Sequence, residues 1–220
     1  MAAQRTQFEE VLKELRIAII QMGREVEKAI ALSVRSLHES NVELAQQVIT
    51  RDPEINAMEE RIDDIGSKLI ATQQPVAKDL RRILIAFRIA ADLERMADLA
   101  VDIAKTTIRL GDSGLIKPLE NILKMAALAS QMTEESITAY TEENIDIAYK
   151  TAKLDDEVDE LHSMNMHEIF SVAAADLLVI NQAMMLAMVS RYIERIADHA
   201  TNIAEDVVYL VKGSRPDLNQ

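Results

Sequence analysis

Apolar residues recur at intervals of three and four along nearly the whole chain. This spacing places them on one face of an α-helix, and no long run alternates as a half-buried strand would. Over the first forty residues the apolar stripe is continuous and predicts one long helix that ends near residues 38–40. The stripe consists of Phe8, Val11, Leu12, Leu15, Ile19, Met22, Val26, Ile30, Val34 and Leu37.

Capping and helix-breaking residues divide the rest of the first half. Asn41 predicts the start of a short helix, and Asp52 followed by Pro53 predicts a second N-terminus, because proline suits the first helical position. The second long helix must end before Pro75, which lacks a backbone donor and forces its predecessor out of the helical region. A third helix is predicted from about Val76 to Leu110.

The chain contains an internal duplication. Residues 91–104 return 100 positions later as residues 191–204, with 7 of 14 positions identical. Upstream, Asn41–Ala45 resembles Asn144–Ala148 at an offset of 103. Each copy is therefore predicted to form a three-helix unit. We predict an all-α fold of two tandem three-helix bundles, with six long helices related by a pseudo-two-fold axis.

The duplication also predicts the domain limits. Residues 1–110 form the first repeat, residues 115–214 the second, and residues 215–220 a C-terminal tail. The turn between the repeats is Gly111-Asp112-Ser113-Gly114, and Gly213 is expected to stop the last helix.

Composition narrows the classes of partner. The net charge is -13, with 37 acidic and 24 basic residues, three Phe and no Trp, which disfavours nucleic acid as a partner. Cations and basic protein surfaces are better candidates. The absence of cysteine excludes thiolate metal sites and disulfides. The acidic start predicts an intracellular, cytoplasmic protein. Residues 169–190 are apolar but carry Asp176, so a buried helix pair is expected there rather than a membrane span.

The third predicted helix carries a ladder of acids. Glu94, Asp98 and Asp102 are spaced by four residues and so lie within an arc of about 80°. Each neighbouring like-charge pair costs about 0.2–0.5 kcal/mol, which a bound divalent or trivalent cation would offset. A solvated face is the other interpretation, because Arg95 and Lys105 border the same arc. Periodicity alone does not distinguish a metal site from a solvated helix face.

Both copies of the ladder fit a known motif. Leu93–Asp98 and Ile193–His199, each continuing to Ile-Ala, resemble the duplicated Glu/Asp-x-x-x-Asp motif of the PhoU family of phosphate-transport accessory proteins. The segment Gln73–Arg81 is similar to the family's junction between the second and third helices. Met22–Ala31 and Asp155–Leu161 fit its first and fifth helices.

This resemblance implies that the third and sixth helices hold metal ions. The cofactor would be a multinuclear iron cluster or another divalent metal such as Zn, Mn or Mg. Asn202 would ligate through its carbonyl oxygen and bring no charge. Carried over by position, the candidate metal ligands are Glu94, Asp98, Asp102, Glu194, Asp198 and Asn202.

The resemblance also implies a function. The chain would be a cytoplasmic regulator of phosphate uptake and homeostasis that represses the phosphate-starvation response. Its partners would be the ATPase subunit of the phosphate ABC transporter and a phosphate-sensing histidine kinase. It would be a homodimer, associate with the membrane only indirectly, and have no enzymatic activity.

Two alternatives stay open at this point. One is a carboxylate-bridged di-metal (iron) enzyme, although the chain has no Glu-x-x-His and offers only Asp159-x-x-His162. The other is a helical scaffold without metal. We expect most of the 11 methionines in the core and His199 at the surface or core edge. We expect a solvated helix start for Arg81, Arg82 and Arg88.

Overall fold

Six long α-helices make up most of the chain in the computed structural model, which describes residues 2–111, 114–214, 216 and 218. No strand occurs among these residues, so the all-α prediction is confirmed. A 3₁₀ turn at Leu177–Val179 precedes the last helix. The helices are α1 (Ala2–His38), α2 (Val42–Gln73), α3 (Ala77–Leu110), α4 (Glu120–Glu142), α5 (Ile145–Ala175) and α6 (Ile180–Lys212).

The helices form two three-helix units. Helices α1, α2 and α3 pack on one another, as do α4, α5 and α6, and the units join where α3 packs on α6 and α1 on α4. The predicted tandem arrangement is therefore confirmed. The limits 1–110, 115–214 and 215–220 stay a prediction, since positions 1, 112, 113, 215, 217, 219 and 220 lie outside the described residues.

Equivalent residues cap the second helix of each unit. The Asn41 side-chain oxygen accepts a hydrogen bond from the backbone N–H of Leu44 at 2.9 Å. Asn144 does the same for Asp146 at 3.0 Å. Gln74, with φ 46°, ends α2 just before Pro75, which confirms the predicted break. Gly213, with φ 77°, ends α6 as expected.

The predicted helix start at Asp52 and Pro53 is wrong, because α2 runs through both residues. A break there would move the apolar positions on either side out of phase. Burial of the apolar stripe along α2 outweighs the cost of about 3 kcal/mol that a proline inside a helix brings. Asp52 therefore lies inside the helix rather than at its end. The buried positions in phase are Ala45, Val48, Ile55, Ile62 and Leu69.

Residues 169–190 do not form one continuous helix. They are divided among the end of α5, the 3₁₀ turn and the first turns of α6. Across the described residues, no helix combines the length and apolar character that crossing a bilayer requires.

The prediction for the methionines holds only in part. Met22, Met96, Met125 and Met132 are buried in the core. Three others are exposed, and all lie on α5 or α6: Met164, Met184 and Met188.

Candidate metal centres

The acid ladder of α3 lies on one face, as its spacing predicts, but its members differ in exposure. The side chain of Glu94 is 17% exposed, against 45% for Asp98. Arg95 contacts both, with Nε 3.4 Å from Glu94 Oε2 and Nη1 3.2 Å from Asp98 Oδ2. Lys105 pairs with Asp102 at 3.4 Å. Cations of the same helix therefore partly neutralise the ladder.

Helix α2 adds two acids to this face. Burial raises the pKa of Asp52, and the Asp98 carboxylate raises it further. Burial also raises the pKa of Glu94, and the carboxylates of Asp98, Glu59 and Asp52 raise it further. Burial raises the pKa of Glu59 as well. Four carboxylates thus act on one another across two helices, and we call Asp52, Glu59, Glu94 and Asp98 the α2–α3 cluster.

The second repeat holds a matching group with a more buried centre, the α5–α6 cluster of Asp155, Asp159, Glu194 and Asp198. Burial first, and then Asp198, raise the pKa of both Asp155 and Glu194 to about 7. Burial also raises the pKa of Asp198, which the nearby Arg191 only partly offsets. Arg191 forms an ion pair with Glu194.

Both clusters contain carboxylate oxygens that are buried without a partner. Asp52 Oδ1, Asp155 Oδ1 and Glu194 Oε2 have no hydrogen-bond partner within the described part of the chain. An unpaired buried carboxylate is costly, so it must bind a proton or another positive group. With the pKa raised by burial to about 7, Asp155 and Glu194 bind a proton more readily near neutral pH than an ordinary carboxylate does.

The acids of α2 and α5 were missed as candidate ligands in the sequence. Asp52 and Asp155 correspond at the offset of 103, but the sequence predicted Asp52 as a helix start and Asp155 only as part of a segment that fits the family's fifth helix. A usable signal was present, because Asp155, Asp159 and His162 follow the spacing i, i+4, i+7 of one helix face. His162 takes the place of Glu59, and its Nδ1 lies 2.9 Å from Ser190 Oγ. Burial and Arg191 lower the pKa of His162.

Asn202 faces a different neighbour from the α5–α6 cluster. Its amide donates to Asp92 Oδ1 at 3.4 Å, and His199 Nδ1 lies 2.8 Å from the same oxygen. These contacts join α6 to α3 across the two repeats. His199 is half-buried, as expected for a core-edge residue.

The donor set fits a hard cation. Carboxylate oxygens suit iron, manganese and magnesium, and the chain has no cysteine to favour a softer metal. The buried oxygens without partners supply unused ligand atoms. Among the described residues, however, no three His, Asp or Glu side chains converge as they would around a bound ion. Binding would therefore require Arg95 and Arg191 to release Glu94 and Glu194.

The predicted solvated helix start for Arg81, Arg82 and Arg88 holds only for the exposure of Arg88, whose side chain is 49% exposed, because all three contact the second repeat. Arg81 stacks over the Tyr209 ring, with the guanidinium carbon 5.1 Å from its centroid. Arg82 donates twice to Glu143, at 3.2 and 2.9 Å. The third, Arg88, lies 3.3 Å from the buried carboxylate of Asp206. These arginines instead join the first repeat to the second.

Comparison with known proteins identifies relatives over nearly the whole chain. The PhoU domain family model matches residues 19–107 and 122–207, which confirms the resemblance seen in the motifs. A "phosphate-specific transport system accessory protein PhoU homolog" of Clostridium acetobutylicum is 37% identical over 213 residues, covering 96% of this chain and 97% of that protein. The protein of the same name from Rhizobium meliloti is 37% identical over 210 residues, covering 95% and 89%.

Two solved structures are also similar. The crystal structure of PhoU from Pseudomonas aeruginosa superposes with a TM-score of 0.91 at 33% identity, covering 94% of this chain and all of that one. The phosphate transport system regulatory protein PhoU from Streptococcus pneumoniae gives a TM-score of 0.89 at 27% identity, covering 96% and 99%.

The raised pKa values predict a pH dependence for the metal-free protein. Asp155 and Glu194 have pKa values of about 7 in the fold and about 4 when unfolded, so folding favours their protonated forms. Their contribution to stability is complete below pH 4 and is lost as the pH rises through 7. We expect the melting temperature to fall between pH 5 and pH 8 in thermal unfolding. Replacing Glu194 by Gln should flatten this slope and stabilise the protein at pH 8 by about 1 kcal/mol, or about 2–4 °C.

The matched control is Glu160→Gln, which removes an exposed acid from α5. It should keep the wild-type slope. An unchanged slope in Glu194→Gln would show that Glu194 is not protonated in the fold at neutral pH.

Proposed function

Because this chain belongs to the PhoU family, we propose that it is an accessory regulator of phosphate uptake and homeostasis. It represses the phosphate-starvation response by coupling the phosphate ABC transporter to a phosphate-sensing histidine kinase. The observation that carries this proposal is the near full-length similarity to proteins named as accessory or regulatory components of phosphate transport.

The proposed partners are proteins. They are the ATPase subunit of the transporter and the kinase. The chain would bind both at the cytoplasmic face of the membrane, so its association with the membrane is indirect. A chain with a net charge of -13 is attracted to basic protein surfaces and repelled by anionic lipid. We also infer that the chain acts as a homodimer and as a binding protein rather than an enzyme.

The proposed metal sites are the two clusters. Glu94 and Asp98 with Asp52 and Glu59 would hold one site. The second would be held by Glu194 and Asp198 together with Asp155 and Asp159. A bound cation would supply the positive charge that the buried carboxylates lack, and would tie α2 to α3 and α5 to α6. Asp102 and Asn202, one turn further along, would be secondary ligands only after release from Lys105 and Asp92.

Substitution of one aspartate in each cluster tests the metal proposal. Asp98→Ala and Asp198→Ala should each remove about half of the metal that the wild-type protein retains, because the clusters lie in separate repeats. The double variant should retain almost none. The measurement is elemental analysis of protein purified after loading with iron or manganese.

Asp64→Ala serves as the control, since Asp64 is an exposed α2 acid paired only weakly with Lys68 at 3.6 Å. Its metal content should equal that of the wild type. Metal that persists in the double variant would place the ions elsewhere.

The regulatory proposal is tested in cells that lack the gene. A reporter of the phosphate-starvation response should stay active when phosphate is plentiful, and expression of the chain should switch it off. The chain should also co-purify with the ATPase subunit and with the kinase. A normally regulated reporter in the deletion strain would contradict the proposal, whatever the metal content.

A further inference from the structure

A cavity of about 270 Å³ lies where helices of both repeats meet. Residues of α1 and α3 line one side of it, and residues of α4 and α6 line the other. Three of its five charged lining residues are basic, although the chain carries a net charge of -13. Positive charge gathered in a cavity of an acidic protein favours an anionic ligand. We define the Tyr140 cavity by its lining residues Lys13, Arg16, Arg82, Tyr140 and Glu143.

Tyr140 supplies a hydrogen-bond donor that the protein does not use. The residue is only 6% exposed, yet its hydroxyl forms no hydrogen bond with any residue that the structure describes. Burial raises the pKa of this hydroxyl to about 12, and the neighbouring charges of Arg16, Glu143 and Arg82 act on it as well. The hydroxyl therefore keeps its proton near neutral pH. Because buried tyrosine hydroxyls normally have a partner, an unpaired one beside a cavity indicates a ligand.

The duplication shows that the fold does not require these polar groups. At the offset of 103, Tyr140 corresponds to Leu37, which is buried in the core. At the offset of 100, Arg82 corresponds to Gln182, whose side chain hydrogen-bonds to backbone groups of residues 114–116. The equivalent positions are thus occupied without a tyrosine hydroxyl or a guanidinium. Both groups at the Tyr140 cavity need a reason other than folding.

The cavity already holds one oxyanion, the carboxylate of Glu143 at the end of α4. Arg82 Nη2 lies 2.9 Å from Glu143 Oε1, and Lys78 Nζ lies 3.2 Å from Oε2. Arg16 Nη2 approaches Oε1 to 3.6 Å. Cations of α1 and α3 therefore converge on one point of the second repeat. Guanidinium groups in this arrangement recognise carboxylate and phosphate oxygens alike.

The ion pairs around the cavity leave a surplus of positive charge. Glu9 and Asp79 both pair with Arg5, and Asp79 also lies 3.7 Å from Arg82. Lys13 forms no ion pair within the described part of the chain. Five cations thus face three carboxylates, so a doubly charged anion would balance the network. The cations are Arg5, Lys13, Arg16, Lys78 and Arg82, and the carboxylates are Glu9, Asp79 and Glu143.

Glu143 distinguishes one doubly charged anion from another. Burial raises its pKa, but hydrogen bonds from Arg82 and Lys78 outweigh burial and lower the pKa below its usual value. Glu143 therefore stays ionised and can only accept hydrogen bonds. Sulfate has no proton near neutral pH and is repelled by this carboxylate. Hydrogen phosphate has the same charge but keeps one P–OH group, which can donate to it.

We propose that the Tyr140 cavity binds hydrogen phosphate. The hydroxyl of Tyr140 donates to a phosphate oxygen, the cations balance the charge, and Glu143 accepts the hydrogen bond of the P–OH group. Since the lining comes from α1, α3 and α4, the bound anion bridges the two repeats. The proposal goes beyond the proposed function, which assigns no small-molecule ligand, and it does not depend on the metal sites.

Calorimetric titration of the full-length protein with inorganic phosphate at pH 7.5 and low salt tests the site. Tyr140→Phe removes one hydroxyl and keeps the ring. Arg82→Gln introduces the residue that the second repeat has at the equivalent position. The matched control is Tyr192→Phe, which removes a tyrosine hydroxyl from α6 outside the cavity lining. Circular dichroism and melting temperature report the fold. The titration is repeated on the double variant Asp98→Ala with Asp198→Ala to exclude phosphate held by metal.

We expect saturable binding of one phosphate per chain to the wild type, to Tyr192→Phe and to the double aspartate variant. The Kd should be at least tenfold higher in Tyr140→Phe and in Arg82→Gln, with unchanged helical content. A wild type without saturable binding would overturn the proposal, as would a folded Tyr140→Phe that binds as tightly as the wild type. Binding that disappears in the double aspartate variant would place phosphate on the metal instead.

Two further anions test the identity of the ligand. Sulfate and the monoester glycerol phosphate should each bind at least tenfold more weakly than inorganic phosphate, because neither keeps a P–OH proton at pH 7.5. Glu143→Gln should bind sulfate more tightly than the wild type does, since the repelling charge is gone. Sulfate or monoester binding as tight as that of inorganic phosphate in the wild type would refute the assignment of hydrogen phosphate.

Discussion

The carboxylates of Asp155 and Glu194 are buried between α5 and α6, each with one oxygen that meets no donor among the described residues. Removal of such a group from water is costly unless a proton or a cation accompanies it. Two neighbouring acids, Asp159 and Asp198, raise that cost further. Arg191 pairs with one oxygen of Glu194, but the other oxygen and Asp155 Oδ1 still lack a donor or a cation among the described residues. In the first repeat, Asp52 and Glu94 repeat this arrangement in a more solvated form.

The duplicated bundle keeps this arrangement and changes what surrounds it. Glu59 of the first repeat is replaced by His162 of the second, and Asn56 by Asp159, so each cluster keeps four acids but one of them lies at a different position of the helix. At the helix ends, Lys78 and Arg88 pair with acids of the other repeat, whereas Leu178 and Met188 remain exposed. The apolar core and the acidic clusters are thus present in both repeats, whereas these positions near the starts of α3 and α6 differ between them.

Periodicity predicted the helices because burial of an apolar stripe dominates the folding of such a chain. It placed Glu94 and Glu194 correctly on their helices. The prediction from capping residues failed at Asp52 and Pro53, because burial of the apolar stripe continues the helix through both residues. Asp52 was missed as a candidate ligand for the same reason. The partners of Asn202 and of the arginines that start α3 lie in the other repeat, and no spacing within one helix reveals a contact between helices.

Proton release on metal binding tests the central claim most directly. Carboxylates that hold protons near neutral pH must lose them to bind a cation. Calorimetric titration with Mn²⁺ at pH 6.5, in buffers of different ionisation enthalpy, counts the protons released. We predict about one or more protons per ion bound at the α5–α6 cluster, and fewer in Glu194→Gln. Binding without proton release, or no binding at all, would contradict the claim that these buried acids hold cations.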